Sequence, residues 1–131
     1  MLRVKVNTAL GPYAVNEIPV LFDQITIDTE NGYKTTGNYT VKTPGWYQVS
    51  GSLTISITNA GPLTLGFFVN GVSSHGCLLS YYSCCNVFGG YCSDLMKLNI
   101  NDTLNVRVTG TTISNLQIKN PSVFTLHKVS N

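Results

Sequence analysis

Tyr47-Gln48-Val49-Ser50-Gly51-Ser52-Leu53-Thr54-Ile55-Ser56-Ile57-Thr58 is the stretch whose reading decides the fold. Tyr47, Val49, Gly51, Leu53, Ile55 and Ile57 alternate strictly with Gln48, Ser50, Ser52, Thr54, Ser56 and Thr58. Side chains of an extended chain point alternately to opposite faces, so this period of two predicts a long strand with one face in a core and the other polar. No window of the chain sustains a helical stripe flanked by caps, and β-branched Val, Ile and Thr, which suit a pleated surface, fill the candidate segments.

The same period continues on both sides. After the breaker Asn59-Ala60-Gly61-Pro62, Leu63, Leu65, Phe67 and Val69 repeat the alternation, which predicts a hairpin partner for the first strand. Asn70-Gly71 then supplies the positive φ values that a tight turn needs. Leu98 and Ile100 precede Asn101-Asp102, and Leu104, Val106 and Val108 follow, so a further hairpin is expected there. Ile113, Leu116 and Ile118 predict a shorter strand, and Val123 to Leu126 the last one. Upstream, Met1 to Val6 reads as the opening strand rather than as an export signal. No linker or internal repeat interrupts the chain. The expectation is one all-β sandwich or barrel of about eight to ten short strands over residues 1–131, with residues 1–18 forming the N-terminal strand and a connecting segment.

Composition narrows the function. Charged residues make up 11% of the 131 residues, against about a quarter in ordinary soluble domains. Neutral hydroxyls and amides therefore cover the outward strand faces, as suits surface held against other chains or a place in a larger assembly. The net charge is +2, and the eight basic residues are scattered. Nucleic-acid binding needs a clustered basic stripe, so no nucleic-acid partner is expected. No stretch approaches the roughly 18 consecutive apolar residues of a membrane helix, and no membrane insertion is expected.

At Pro19-Val20-Leu21-Phe22-Asp23 the chain begins to resemble the globular head of the C1q family, within the tumour-necrosis-factor-like superfamily. That family carries a segment reading Gly-x-Phe/Tyr-x-Val-x-x-Pro-Gly-x-Tyr, and Gly37-Asn38-Tyr39-Thr40-Val41-Lys42-Thr43-Pro44-Gly45-Trp46-Tyr47 matches it in order and spacing, with Tyr33 in the preceding loop. Phe68-Val69-Asn70-Gly71 resembles the family's strand ending in Asn-Gly. Leu98 to Val106 resembles its Leu-x-x-Gly-Asp-x-Val/Leu segment, with Asn101 in place of the Gly. Ser122-Val123-Phe124-Thr125-Leu126 resembles the closing strand, although Thr125 and His127 occupy the region of that strand's usual Gly. The likeness spans roughly Pro19 to Val129, with departures that point toward a distant microbial or viral branch. It implies a ten-strand antiparallel jelly-roll sandwich that assembles as a homotrimer and acts by contact with receptors, other proteins or glycans.

Several residues are candidates for that contact. Phe67 and Phe68 are adjacent and must face opposite sides of a strand, so the second ring calls for a subunit or a covering segment. Tyr39, Tyr47, Phe68 and Phe124 are the candidate trimer-interface residues, because aromatic rings bury large areas with few rotatable bonds. The segment Ser73 to Asp94 has the Tyr, Ser, Gly and Asn content that recognition loops favour, and Tyr81, Tyr82, Phe88 and Tyr91 are its candidate ligand contacts. Pro44-Gly45 reads as a turn that launches the strand at Trp46.

Cys77, Cys84, Cys85 and Cys92 all fall in that segment. Oxidised pairs and free buried thiols both remain open at this point. A zinc site that includes His75 is disfavoured, because adjacent Cys84 and Cys85 do not make the Cys-x-x-Cys knuckle of structural sites. Calcium needs about six to eight oxygen ligands, and Asp28 to Asn31 is the only local candidate among isolated acidic residues. No metal or cofactor is therefore expected. His75 and His127 are the only histidines, and no nucleophile elbow, phosphate loop or metalloprotease motif is present, so no catalytic residue is assigned.

The reading is a trimeric structural and adhesion module on a virion surface, such as a head-fibre or decoration component, with a capsid, fibre or stalk protein as possible neighbour. The alternative is a secreted or cell-surface lectin-like module that binds host protein or carbohydrate.

Overall fold

The structure, a computed structural model, describes every residue except Thr58, Ser83, Cys84, Cys85 and Thr112, and describes Asn59 and Ala60 through their backbone only. The described residues form β1 (Leu2–Lys5), β2 (Leu10–Tyr13), β3 (Glu17–Pro19), β4 (Gln24–Asp28), β5 (Tyr39–Thr40), β6 (Gly45–Ser56), β7 (Asn59–Ala60), β8 (Leu63–Val69), β9 (Val72–Leu78), β10 (Ser80–Tyr82), β11 (Val87–Leu98), β12 (Thr103–Gly110), β13 (Ile113–Ser114) and β14 (Leu116–Ser130). These fourteen segments exceed the ten strands expected, because five of them are pairings of only two or three residues beside the long strands.

Two antiparallel sheets enclose the core. The larger runs β10-β11-β6-β14-β1-β4, with β2 also paired to β14, and the smaller runs β3-β12-β8-β9, with β5 paired to β12. β7 and β13 form a separate two-stranded pairing. The long strand read from alternation is β6, whose Tyr47, Val49, Leu53 and Ile55 are buried. It pairs with β11 along its whole length and with β14 on its other side. β1 lies between β14 and β4, with Leu2 and Val4 fully buried, so the first residues are an integral part of the larger sheet.

Two of the three expected hairpins are instead crossings between the sheets. β6 and β8 lie in different sheets, as do β11 and β12. Of the three, β8 and β9 do form a hairpin, with Val69 opposite Val72 and the turn carried by Asn70 at φ 53° and Gly71 at φ 80°. A polar turn between two alternating segments reverses the chain in either case. Whether the two strands pair or face each other depends on packing, which local chemistry does not encode. Among the described residues, every non-glycine residue with positive φ is an asparagine, namely Asn31, Asn70, Asn86, Asn101 and Asn115. Asparagine tolerates this region because its short side chain bonds locally. The segment Leu116 to Ile118 is not separate from the closing strand: β14 runs through both, with a register shift between Lys119 and Val123.

At the centre of the core Phe124 of β14 lies between two rings, 5.9 Å from Phe22 and 6.2 Å from Phe67 of β8. Gly51 of β6 sits directly beside Phe124 in register. A Cβ at Gly51 would lie 3.4 Å from the Phe67 ring, so a side chain larger than a methyl would displace that ring. Phe68, on the other face of β8, is only 8% exposed in the single chain, with the Arg107 guanidinium 4.5 Å above its ring. Arg107 in turn donates to Asn105 Oδ1 and is ion-paired with Glu17. Of the two covers expected for the second ring, a subunit or a segment of the same chain, the single chain supplies one itself, through Arg107 of the neighbouring strand β12.

Gly45, which follows Pro44, has φ 153°, and a Cβ there would lie 2.5 Å from the carbonyl oxygen of Ser130. The end of the closing strand therefore packs directly over the start of β6. Replacing Gly45 by Val should destabilise the fold by about 1–3 kcal/mol, read as a lower thermal midpoint, and unchanged melting would refute this role for the turn.

Candidate functional site

Three regions hold exposed or reactive side chains. The first is the outward face of the larger sheet. Residues of β6, β11 and β14 that alternate with core positions point there, and they are mostly neutral: Ser50, Ser52 and Thr54 on β6, Ser93 on β11 and Thr125 on β14. The Ser50 and Thr125 hydroxyls are hydrogen-bonded to each other across the strands. Large apolar side chains stand among them, with Tyr91 65% and Leu95 51% exposed and Trp46 and Val129 also exposed. An open depression of about 260 Å³ lies on this face, lined by Arg3, Ser50, Ser52, Tyr91, Val123 and Thr125. His127 is exposed on the same face, opposite Gln48.

The proposed interface residues are elsewhere. Tyr39, Tyr47 and Phe124 are buried in the core of the single chain and have no surface to offer a neighbour, while Phe68 lies outside the smaller sheet under Arg107. Ring size does not decide placement, because a ring at a core-phase position of a strand is taken up by the opposite sheet. A better signal was available in the polar phase of the same strands, where Trp46, Leu95 and Val129 interrupt otherwise polar positions.

The second region is β10 with the start of β11. Tyr82 pairs with Val87, and its ring passes over Gly89, on the outward face that also holds Tyr91. Tyr81 points to the other side, packs at a tilt against Phe88 with ring centroids 4.8 Å apart and donates its hydroxyl to Asn86 Oδ1. The four rings therefore divide between two faces and do not form one cluster. Phe88 is buried and supports Tyr81 from beneath, so it is not a ligand contact. Tyr81, Tyr82 and Tyr91 are exposed.

The third region is the edge where the sheets meet. Cys77 of β9 and Cys92 of β11 form a disulfide with Cα atoms 5.6 Å apart, which ties the edge strand of the smaller sheet to the larger sheet. This corrects the free-thiol reading for these two residues. Cys84 and Cys85 lie outside the described residues. His75 Nε2 is 3.8 Å from Cys77 Sγ, and the imidazole stacks on Phe67.

The Asp28 to Asn31 loop serves the fold. Asp28 accepts hydrogen bonds from the backbone N–H groups of Gly32 and Tyr33, one to each carboxylate oxygen, so its carboxylate is already engaged in holding the turn. Glu30 accepts from the Thr43 hydroxyl through Oε1, and its Oε2 is buried with no partner among the described residues. Three buried tyrosines lie beneath. Tyr33 donates its hydroxyl to the Phe22 carbonyl, and Tyr47 donates to that of Thr43. Burial pushes the Tyr33 hydroxyl up to about 12. Burial first and the Glu30 charge second raise Tyr39 and Tyr47 as well.

No protein-family model matches the chain, and no curated protein matches it in sequence. Solved structures do match over nearly the whole chain. The globular domain of zebrafish complement 1qA superposes with a TM-score of 0.74 at 19% identity, over 99% of this chain and 98% of that one. Murine APRIL gives 0.73 at 13% identity over 98% and 97%. Eiger TNF from S. frugiperda gives 0.75 at 16% identity over 99% and 92%.

Two outcomes follow from this geometry. Below pH 10 the buried tyrosines are protonated whether the chain is folded or not; above it the unfolded chain loses protons that the fold retains. The stability these tyrosines contribute is therefore full below pH 10 and falls as pH rises toward about 12. Melting followed across this range should show the loss, with a shallower slope for Tyr33→Phe; a flat profile would contradict the burial. The disulfide closes a loop between residues 15 apart, so Cys92→Ser should cost about 3 kcal/mol in denaturant unfolding, a difference from wild type that narrows when both are reduced to the cost of burying the serine hydroxyl.

Proposed function

From its C1q/TNF-like jelly-roll fold, we propose that the chain is the head module of a homotrimer that acts by contact, a structural and adhesion role of the kind found at a fibre tip or particle surface. The observation that carries this reading is the outward face of the larger sheet. Solvent-facing strand positions are usually charged or strongly polar, yet here Trp46, Tyr91, Leu95 and Val129 are exposed among serines and threonines. A face of this composition is costly to leave in water and suits the centre of an interface, where aromatic and aliphatic side chains are enriched and charges depleted. On the outer face of the smaller sheet the Phe68 ring is already capped by an ion-paired arginine, and the exposed Val72 and Leu78 lie on its edge strand β9 rather than at its centre.

In this arrangement three copies bring their larger sheets together around an axis. Tyr91 then belongs to the subunit contact, and Tyr81 on β10 remains available to a partner. A charged fraction of 11% supports a setting in which much of the surface is held against other protein.

Mass photometry and equilibrium sedimentation should give three times the chain mass of 14.2 kDa. Leu95→Glu, which places like charges on every copy, should shift the population to monomer while the strand signal in circular dichroism is kept. A wild-type monomer at micromolar and nanomolar concentration, or an unchanged mass for Leu95→Glu, would overturn the interface.

A further inference from the structure

The edge cluster holds chemistry that the contact function does not use. His75, Cys77 and Cys92 place one ligand atom each within 4.8 Å of one another. We propose that, when the Cys77–Cys92 bond is reduced, these three residues form a zinc site, so that disulfide and metal are alternative occupants of one position. The inference is independent of the trimer reading.

The geometry fits the metal. With zinc–nitrogen and zinc–sulfur bonds of about 2.0–2.1 and 2.3 Å in a tetrahedron, the two ligand atoms lie about 3.6 Å apart, and His75 Nε2 is 3.8 Å from Cys77 Sγ. Two thiolates on the same ion lie about 3.8 Å apart, a spread that side-chain rotation can supply across a Cα separation of 5.6 Å. The donors come from facing strands: His75 and Cys77 are two apart on β9 and share a side, and Cys92 approaches from β11. Spacing along the chain therefore could not reveal the set, since the ligand pair is made across the sandwich rather than by a knuckle.

The surroundings favour a cation once thiols are present. Cys92 is buried and the other two are half-buried, so a free thiolate there would be disfavoured and a bound dication would neutralise the pair. The stack on Phe67 fixes the imidazole. A thiol reductant supplies two electrons and two protons to the Cys77–Cys92 bond and is itself oxidised to a disulfide. Zinc then displaces the two thiol protons and takes the Nε2 lone pair of neutral His75, whose proton sits on Nδ1. Three protein ligands leave the fourth tetrahedral position to water.

The test uses the full chain carrying Cys84→Ser and Cys85→Ser, reduced with a phosphine and titrated with cobalt(II). The reduced chain should develop the thiolate charge-transfer bands and tetrahedral ligand-field pattern with about one equivalent, reversed by zinc, and the oxidised chain should develop neither. Adding His75→Ala should weaken binding at least about tenfold. Zinc should raise the melting temperature of the reduced protein only. Absence of the cobalt spectrum, an unchanged spectrum in the His75→Ala variant, or binding that requires Cys84 and Cys85 would each overturn the site. If reduction unfolds the chain, zinc should restore its strand signal, and failure to do so would equally refute it.

Discussion

The fold depends on a row of four residues across the inner face of the larger sheet, Cys92, Gly51, Phe124 and Val4, paired in register on neighbouring strands. Two sheets facing at about 10 Å leave room for interlocking side chains but not for rings opposed to other large groups. The absent side chain at Gly51 resolves this, because Phe67 of the smaller sheet reaches toward the larger one over the gap while Phe124 stands beside it. Phe22 extends the cluster on one side and His75 on the other. The same row brings Cys92 to the edge where it meets β9. Packing at the centre and chemistry at the rim thus share one cause.

Much of the architecture was legible in the sequence, for a physical reason. In a sandwich, each strand presents one face to the core, so the alternation in β6, β8 and β12 carries the fold directly. Asn70-Gly71 and Asn101 were legible because positive φ is a local demand that few residues meet. The connections after β6 and β11 were not, since a turn reports reversal of direction and says nothing about which sheet receives the next strand. The sites fared worse. Tyr39, Tyr47 and Phe124 were read by size when phase along the strand was the deciding property. Tyr81 and Tyr82 are adjacent in sequence and therefore lie on opposite faces, so composition grouped what the pleat separates. The His75–Cys77–Cys92 set needs a third residue from across the core.

The two outer faces illustrate how a β-sandwich distinguishes solvent from neighbour. On the smaller sheet Phe68 is shielded by Arg107, an interaction worth about 0.5–1 kcal/mol at such a site, and Glu17 and Asn105 hold the guanidinium in place. Asn105 also donates to Asn38, which fastens the network to the residue before β5. On the larger sheet no comparable cover lies over Tyr91 or Leu95 among the described residues, and both stay more than half exposed. An isolated chain solves its exposed-ring problem on one face and leaves it open on the other.

The bond between Cys77 and Cys92 also changes what damage to the chain would mean. A protease that cut anywhere between those residues would produce two polypeptides, one ending before Cys92 and one beginning after Cys77, still joined through sulfur. β6 and β8 would belong to the first piece and β12 and β14 to the second, interleaved in both sheets. A nicked molecule would keep its strand order and gain only the one water consumed by hydrolysis, so a non-reducing gel would not tell it from an intact one, whereas a reducing gel would.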